Sequence, residues 1–413
     1  MFRVTSLNGM SVIIKICIGV VTSKMIAIFV GPAGLALVAN FRNFVTAAES
    51  ISTLGFNNGV VKYVAQHSDD PSALKKIIAT SFITLASSAV IMTVVLFFLA
   101  GYWSDFVFGN RFDYKVVFQV LAVALPWYAV SLFLISVING LGKFRRVIRI
   151  NIIGNIIGLI TTVVLVWQFK TLGALLSIVI APALLFFVTF TAINREIRFF
   201  EYISFRFFDF AIIRNLSSYS LMALVSAVCG PLIYLAIRNK LIVVSGIEAA
   251  GHWEAMMRIS TYYLMFISTI LSVYYLPKLS IATTDDQTRR VFWNYFKGVM
   301  PIFVGGLLVI YLLRGIVIRL LFSTEFEPVT DLFFWQLTGD IFKAASMVLG
   351  FQFFAARLTT AFIITELFSL AVLYISSIFL IAVVGVEGVV MAHALTYFIY
   401  LIVLIGFFRK KLF

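Results

Sequence analysis

The stretch "VANFRNFVTAAESIS" runs from Val38 to Ser52; it is apolar enough to lie in a bilayer, yet it carries Arg42 and Glu49. On insertion scales an Arg or an acid near the bilayer centre costs about 2.5–3.5 kcal/mol. Seven residues is nearly two full helical turns, so in a helix both side chains leave from almost the same face. The stretch therefore reads as one membrane span with a polar stripe, and such a stripe marks a substrate or ion pathway in a bundle interior.

The rest of the chain agrees with a membrane setting. Of 413 residues, 62% are hydrophobic and only 12% charged, against about 25% charged in soluble domains. The fold class expected is all-α, a polytopic membrane protein. The net charge of +14 would suggest nucleic acid in a soluble protein; here it reads as the positive-inside rule, with no nucleic-acid partner. Cys17 and Cys229 are far apart in apolar runs, which excludes a disulfide framework or a zinc spacing. Lys15 and Lys24 interrupt the first apolar run and no small-residue cleavage site follows, so it reads as an uncleaved span.

Runs of about 20 apolar residues place twelve spans, at roughly 9–30, 35–65, 75–100, 114–140, 147–168, 172–194, 215–237, 249–276, 291–313, 329–355, 360–384 and 387–407. The clusters "GKFRR", "NREIR" and the terminal "RKK" then share one side, which predicts both termini in the cytoplasm. The second span is too long for one crossing, and Gly55 and Gly59 predict a bend or an extension there. The linker 194–215, with "RFFEYISFRFF" at its centre, is expected to lie along the membrane surface as an amphipathic segment.

A weak internal repeat joins the halves. "FGNRFD" (108–113) precedes the fourth span and "FSTEFE" (322–327) the tenth; "KYVAQHS" (62–68) ends the second and "YYLPKLS" (274–280) the eighth. The expected architecture is two pseudo-symmetric six-helix bundles, 1–200 and 201–413, around a central cavity that takes the substrate.

The charges within spans give the candidate site. Lys24, Arg42 and Arg258 fall at a similar depth in the outer half, where cations would attract an anion. Arg suits a phosphate through paired hydrogen bonds, and Lys acts as a point charge. Against that stand snorkelling and local pairing: Glu254 precedes Arg258 by four residues, an intrahelical pair. Asp340 and Lys343 sit one turn apart and read first as a salt bridge. Glu49, Asp340 and Glu366 are the candidates for carrying H⁺ or Na⁺. His393 reads as a packing residue. No catalytic residues or cofactor are expected: there is no nucleotide-binding loop, since "NGLGKF" (139–144) lacks the spacing, and no HExxH, CxxC or GxSxG.

The segments "FVGPAG" (29–34), "ANFR" (39–42), "GFNNGVVKYVAQ" (55–66) and "LFFWQLTGDIFK" (332–343) resemble the Wzx-type flippases of the multidrug/oligosaccharidyl-lipid/polysaccharide superfamily. The resemblance implies transport of undecaprenyl-pyrophosphate-linked oligosaccharide across the bacterial inner membrane by alternating access, for O-antigen or enterobacterial common antigen, with a polysaccharide polymerase as a further partner. It also implies that cations on the first, second and eighth helices line the cavity, which are Lys24, Arg42 and Arg258 here. Lys24 stands where relatives commonly have Arg. The competing readings are a drug–cation antiporter of the same superfamily, which calls for an acidic cavity, and a scaffold that binds assembly partners without transport.

Overall fold

A chain with this many apolar residues in lipid must satisfy every backbone N–H and C=O within itself, and helices do so segment by segment. The computed structural model describes residues 2–109 and 113–413, with side chains at 12–109, 113–214, 216, 220 and 224–413, and among these residues there is no strand.

Two helices of 51 residues are each too long for one crossing, and each is broken midway by a residue outside helical geometry. In Phe2–Ser52 it is Gly31 (φ 67°), followed by Pro32. In Phe144–Asn194 it is Lys170 (φ 49°). Each therefore supplies two antiparallel arms: α1 (2–30) and α2 (32–52), α5 (144–169) and α6 (171–194). The other long helices are α3 (Pro71–Phe98), α4 (Lys115–Gly140), α7 (Phe210–Ser245), α8 (Ile247–Ile281), α9 (Asp285–Leu312), α10 (Phe333–Ala355), α11 (Thr359–Val384) and α12 (Val386–Phe407). The described residues thus form twelve long helices at the positions of the twelve spans read from the sequence, the second of them ending at Ser52 and not near 65. Helix starts follow ordinary capping: Asp70 accepts from the Ser72 and Ala73 N–H groups ahead of Pro71, and Thr284 accepts from the Gln287 N–H.

The repeat is plainer in the turns than in the letters. Gly31 and Gly246, both at positive φ, open α2 and α8, and they are 215 residues apart. Lys170 and Gly385, again at positive φ and 215 apart, open α6 and α12. Three residues further on, an added Cβ at Gly173 would fall 1.8 Å from the Leu165 carbonyl oxygen, and one at Gly388 would fall 2.3 Å from that of Leu380. Two hairpins of the same tightness thus close the two halves. The expected bend after α2 is a turn at 53–56, with Leu54 and Gly55 at positive φ, before the short helix Asn57–Gln66 that holds most of "KYVAQHS". Its counterpart in α8 is a π-turn, Leu271–Tyr275. Of "FGNRFD", positions 110–112 lie outside the described residues.

The chain divides into two compact units, one of residues 1–30 and 37–235, the other of residues 31–36 and 236–413. In the first, Val64, Ile78, Phe133, Leu134, Val137 and Leu216 form a continuous core. The linker contributes Phe199 to it, packed against Phe82 and Phe133, and leaves Phe200 and Phe205 exposed. The linker is built from the short 3₁₀ turns Phe199–Tyr202 and Phe205–Phe207. In the second unit the Pro32 carbonyl oxygen lies 1.9 Å from where a Cβ on Gly251 would stand.

Gly173→Ala should lower the thermal unfolding midpoint in detergent, because the extra methyl must displace backbone, at a cost of about 1–3 kcal/mol. Gly298→Ala has open space around its Cβ position; it should leave the midpoint unchanged or raise it.

Candidate functional site

In the first unit α1, α2, α4, α5 and α6 enclose a cavity of about 330 Å³, within the size range of small-ligand sites. Arg42 and Glu49 both line it, as their seven-residue spacing predicts, with Thr46 between them. Opposite stand Tyr128 of α4, Asn155 and Thr162 of α5, and Ser177 of α6. Tyr128 donates a hydrogen bond to the Glu49 carboxylate, and the Thr46 hydroxyl donates to the Arg42 carbonyl, 2.9 Å. The wall of α5 comes from "NIIGNIIGLITT" (151–162), whose Gly154 and Gly158 line the cavity. At Gly154 a Cβ would come within 3.1 Å of Leu185. Such a small-residue stripe lets helices approach and keeps space beside the polar groups.

Lys24 is half-buried on α1. Thr22 and Ile26 of that helix line the cavity; Lys24 is two residues from each, so it leaves the helix on another face.

Arg258 lies in the second unit, and its surroundings are closed. Glu254, 7% exposed, receives the Arg258 Nε at 3.1 Å and the Arg238 Nη2 at 2.9 Å. Arg238 is 2% exposed and also lies over the Trp253 ring, 4.9 Å from its centre. The intrahelical pair expected from the i, i+4 spacing is present, and Arg238 makes it a triad with one net positive charge.

Asp340 corrects an expectation. Its partners are not Lys343 but side chains of three helices. Ser260 and Tyr263 of α8 donate to Oδ2, Gln336 donates at 3.2 Å, and His393 Nε2 of α12 lies 2.9 Å from Oδ1. Asp340 is fully buried. Sequence spacing brought Lys343 near, but four donors contributed by the fold already surround this carboxylate, and Lys343 lies over the Tyr397 ring at 4.9 Å instead. Gly339 makes the approach possible, since a Cβ there would stand 2.4 Å from His393 Cδ2. Glu366 is half-buried on α11, within electrostatic reach of Lys343 and Tyr400.

The sequence reading missed Tyr128, Asn155 and Arg238. Asn155 had a signal, an amide in a Gly-spaced apolar run. Arg238 lay one residue beyond the expected end of the seventh span.

The sequence matches the family described as "Polysaccharide biosynthesis protein" over residues 2–282. It is 31% identical over 399 residues to the Lipid III flippase of Escherichia coli K12, covering 96% of this chain and 95% of that protein, and as similar to the Lipid III flippase of Shigella flexneri. Among solved structures, an inward-facing multidrug resistance transporter of the MATE family superposes with a TM-score of 0.81 at 13% identity, covering 97% of this chain and 94% of the other. The lipid II flippase MurJ, in an inward closed conformation, gives 0.74 at 13% identity, with 99% and 88% covered. Both likenesses concern the fold.

Removing Glu254 should destabilise strongly, because two buried guanidinium groups lose their carboxylate, at about 3–5 kcal/mol. Glu254→Ala is expected to abolish the monodisperse peak in size-exclusion chromatography. Adding Arg238→Met should recover part of it, whereas no recovery would contradict the triad.

Proposed function

This chain belongs to the polysaccharide biosynthesis protein family, and from that premise we propose that it is a flippase carrying lipid-linked oligosaccharide across the bacterial inner membrane. The carried lipid is undecaprenyl-pyrophosphate-linked, and transport runs from the cytoplasmic to the periplasmic leaflet by alternating access, for assembly of a cell-surface polysaccharide. Both termini are cytoplasmic, and a polymerase consumes the product.

What supports this is a cavity in the first unit where the Arg42 guanidinium and the Glu49 carboxylate, which Tyr128 hydrogen-bonds, stand with hydroxyl and amide groups on the facing walls. Arg42 holds the pyrophosphate through paired, charge-assisted hydrogen bonds. Tyr128, Asn155, Thr162 and Ser177 offer the donors and acceptors that a sugar's hydroxyl groups require. The polyprenyl tail stays in lipid, because a long apolar chain gains nothing from a polar cavity. Lys24 and Arg258 are the further candidates for the pyrophosphate, each a positive charge that favours an anionic headgroup. A drug–cation antiporter has the same fold; charge reversal at Arg42 separates the two, since it should abolish carriage of an anionic headgroup and need not abolish that of a cation.

For coupling to H⁺ or Na⁺, Glu49 is the first candidate, since it lines the cavity. Asp340 and Glu366 follow; the ring of donors around Asp340 suits a carboxylate whose protonation changes how α8, α10 and α12 hold together.

The test is transport in liposomes loaded with a pyrophosphate-linked oligosaccharide on one leaflet. Arg42→Glu should slow flipping by about 10- to 100-fold, equivalent to about 1.5–3 kcal/mol for hydrogen bonds to a charged group. Arg42→Lys should fall between, keeping the charge and losing the fork. Equal rates for wild type and Arg42→Glu would overturn the assignment. With a pH gradient imposed, Glu49→Gln should lose any acceleration that the wild type shows.

A further inference from the structure

Away from the transport cavity, the connection between α4 and α5 forms a second, strongly basic pocket. Gly142, Lys143, Arg145, Arg146, Arg149 and Glu196 surround about 430 Å³, with Phe144 at the rim. Glu196 is its single carboxylate and it is shared: Lys143 Nζ lies 3.1 Å away, and Arg146 Nη1 pairs with the other oxygen. Arg146 also donates to the Ala192 carbonyl at 3.0 Å, which ties the start of α5 to the end of α6.

Arg145 and Arg149 are left over. Both are exposed, and neither has a carboxylate within ion-pair distance among the described residues. They are four residues apart, so like charges face each other along one side of α5, a repulsion that a bound anion would relieve. A second observation points the same way. Lys143, the residue capping α5, offers no side-chain acceptor to its first N–H groups. The positive end of the helix dipole therefore opens toward the same space. Gly142, at φ 74°, lets the chain turn there and adds no side chain to fill it.

From this geometry we infer that the pocket binds the phosphate headgroup of a membrane lipid. Two guanidinium groups on successive turns match the oxygens of a phosphodiester or a diphosphate. The pocket lies at a span end, where a headgroup sits, and basic pockets between membrane helices are suited to anionic lipids. Phe144, 53% exposed at the rim, offers an apolar surface to the acyl or prenyl chain that leaves the headgroup, which a soluble phosphate would not use. The inference goes beyond the transport reading and does not rest on Arg42, so flipping activity is not its readout.

Native mass spectrometry of the full chain, released from detergent with phosphatidylglycerol or phosphatidylcholine, tests it. The wild type should retain phosphatidylglycerol preferentially. The exposed pair R145Q/R149Q should fold normally, by thermal unfolding midpoint, and lose roughly 30-fold in apparent affinity, about fivefold per charge removed. K297Q, a basic residue elsewhere in the chain, should keep the preference. Competition by a polyprenyl pyrophosphate would support the site and name the carried lipid as an occupant; failure of that lipid to compete would support a phospholipid occupant. An unchanged preference in R145Q/R149Q would overturn the proposal. So would displacement of the lipid by millimolar inorganic phosphate, which would make this a soluble-anion site.

Discussion

A charge can persist in a membrane span only where the protein itself supplies what water would have supplied. The second unit meets this constraint by closure. Glu254 pairs with two guanidinium groups, and Asp340 is wrapped by two hydroxyls, an amide and an imidazole. The first unit meets it differently, with Arg42 and Glu49 along a cavity whose remaining walls carry hydroxyl and amide groups.

The internal repeat explains how both arrangements arise from one plan. Arg42 stands 11 residues after Gly31, and Arg258 stands 12 after Gly246; Lys24 and Arg238 precede the same turns by seven and eight residues. The cations therefore recur in both halves. The acid does not: Glu254 is eight residues after its turn, and the residue eight after Gly31 is Ala39. An acid at that place is thus particular to the second unit. Tight Gly turns hold both versions, since Gly173 and Gly388 each accept a carbonyl where any side chain would collide.

Much of this was legible in the residues. Span positions follow from hydropathy, because lipid leaves the backbone few options. The break after α2 follows from an overlong apolar run with Gly55 in it, and the Glu254–Arg258 pair from i, i+4 geometry. Contacts from distant helices were not legible. Asp340 takes Ser260, Tyr263 and His393 from 53 to 80 residues away, and these override the local Lys343. Tyr128 was hidden for the same reason, since nothing near it in sequence announces Glu49. Local spacing reports which side chains can meet; the packing of helices decides which of them do.

On the proposed function, the headgroup of a lipid-linked oligosaccharide enters the cavity beside Arg42 in the first unit. Photocrosslinking tests it most directly, with a photoreactive residue placed at Thr162 inside the cavity or at Phe187, which is exposed on α6, and a pyrophosphate-linked oligosaccharide labelled in its sugar. Sugar label should be captured at 162, competed by unlabelled lipid, with little captured at 187. Equal capture at both positions, or capture at 162 that survives Arg42→Glu undiminished, would contradict it.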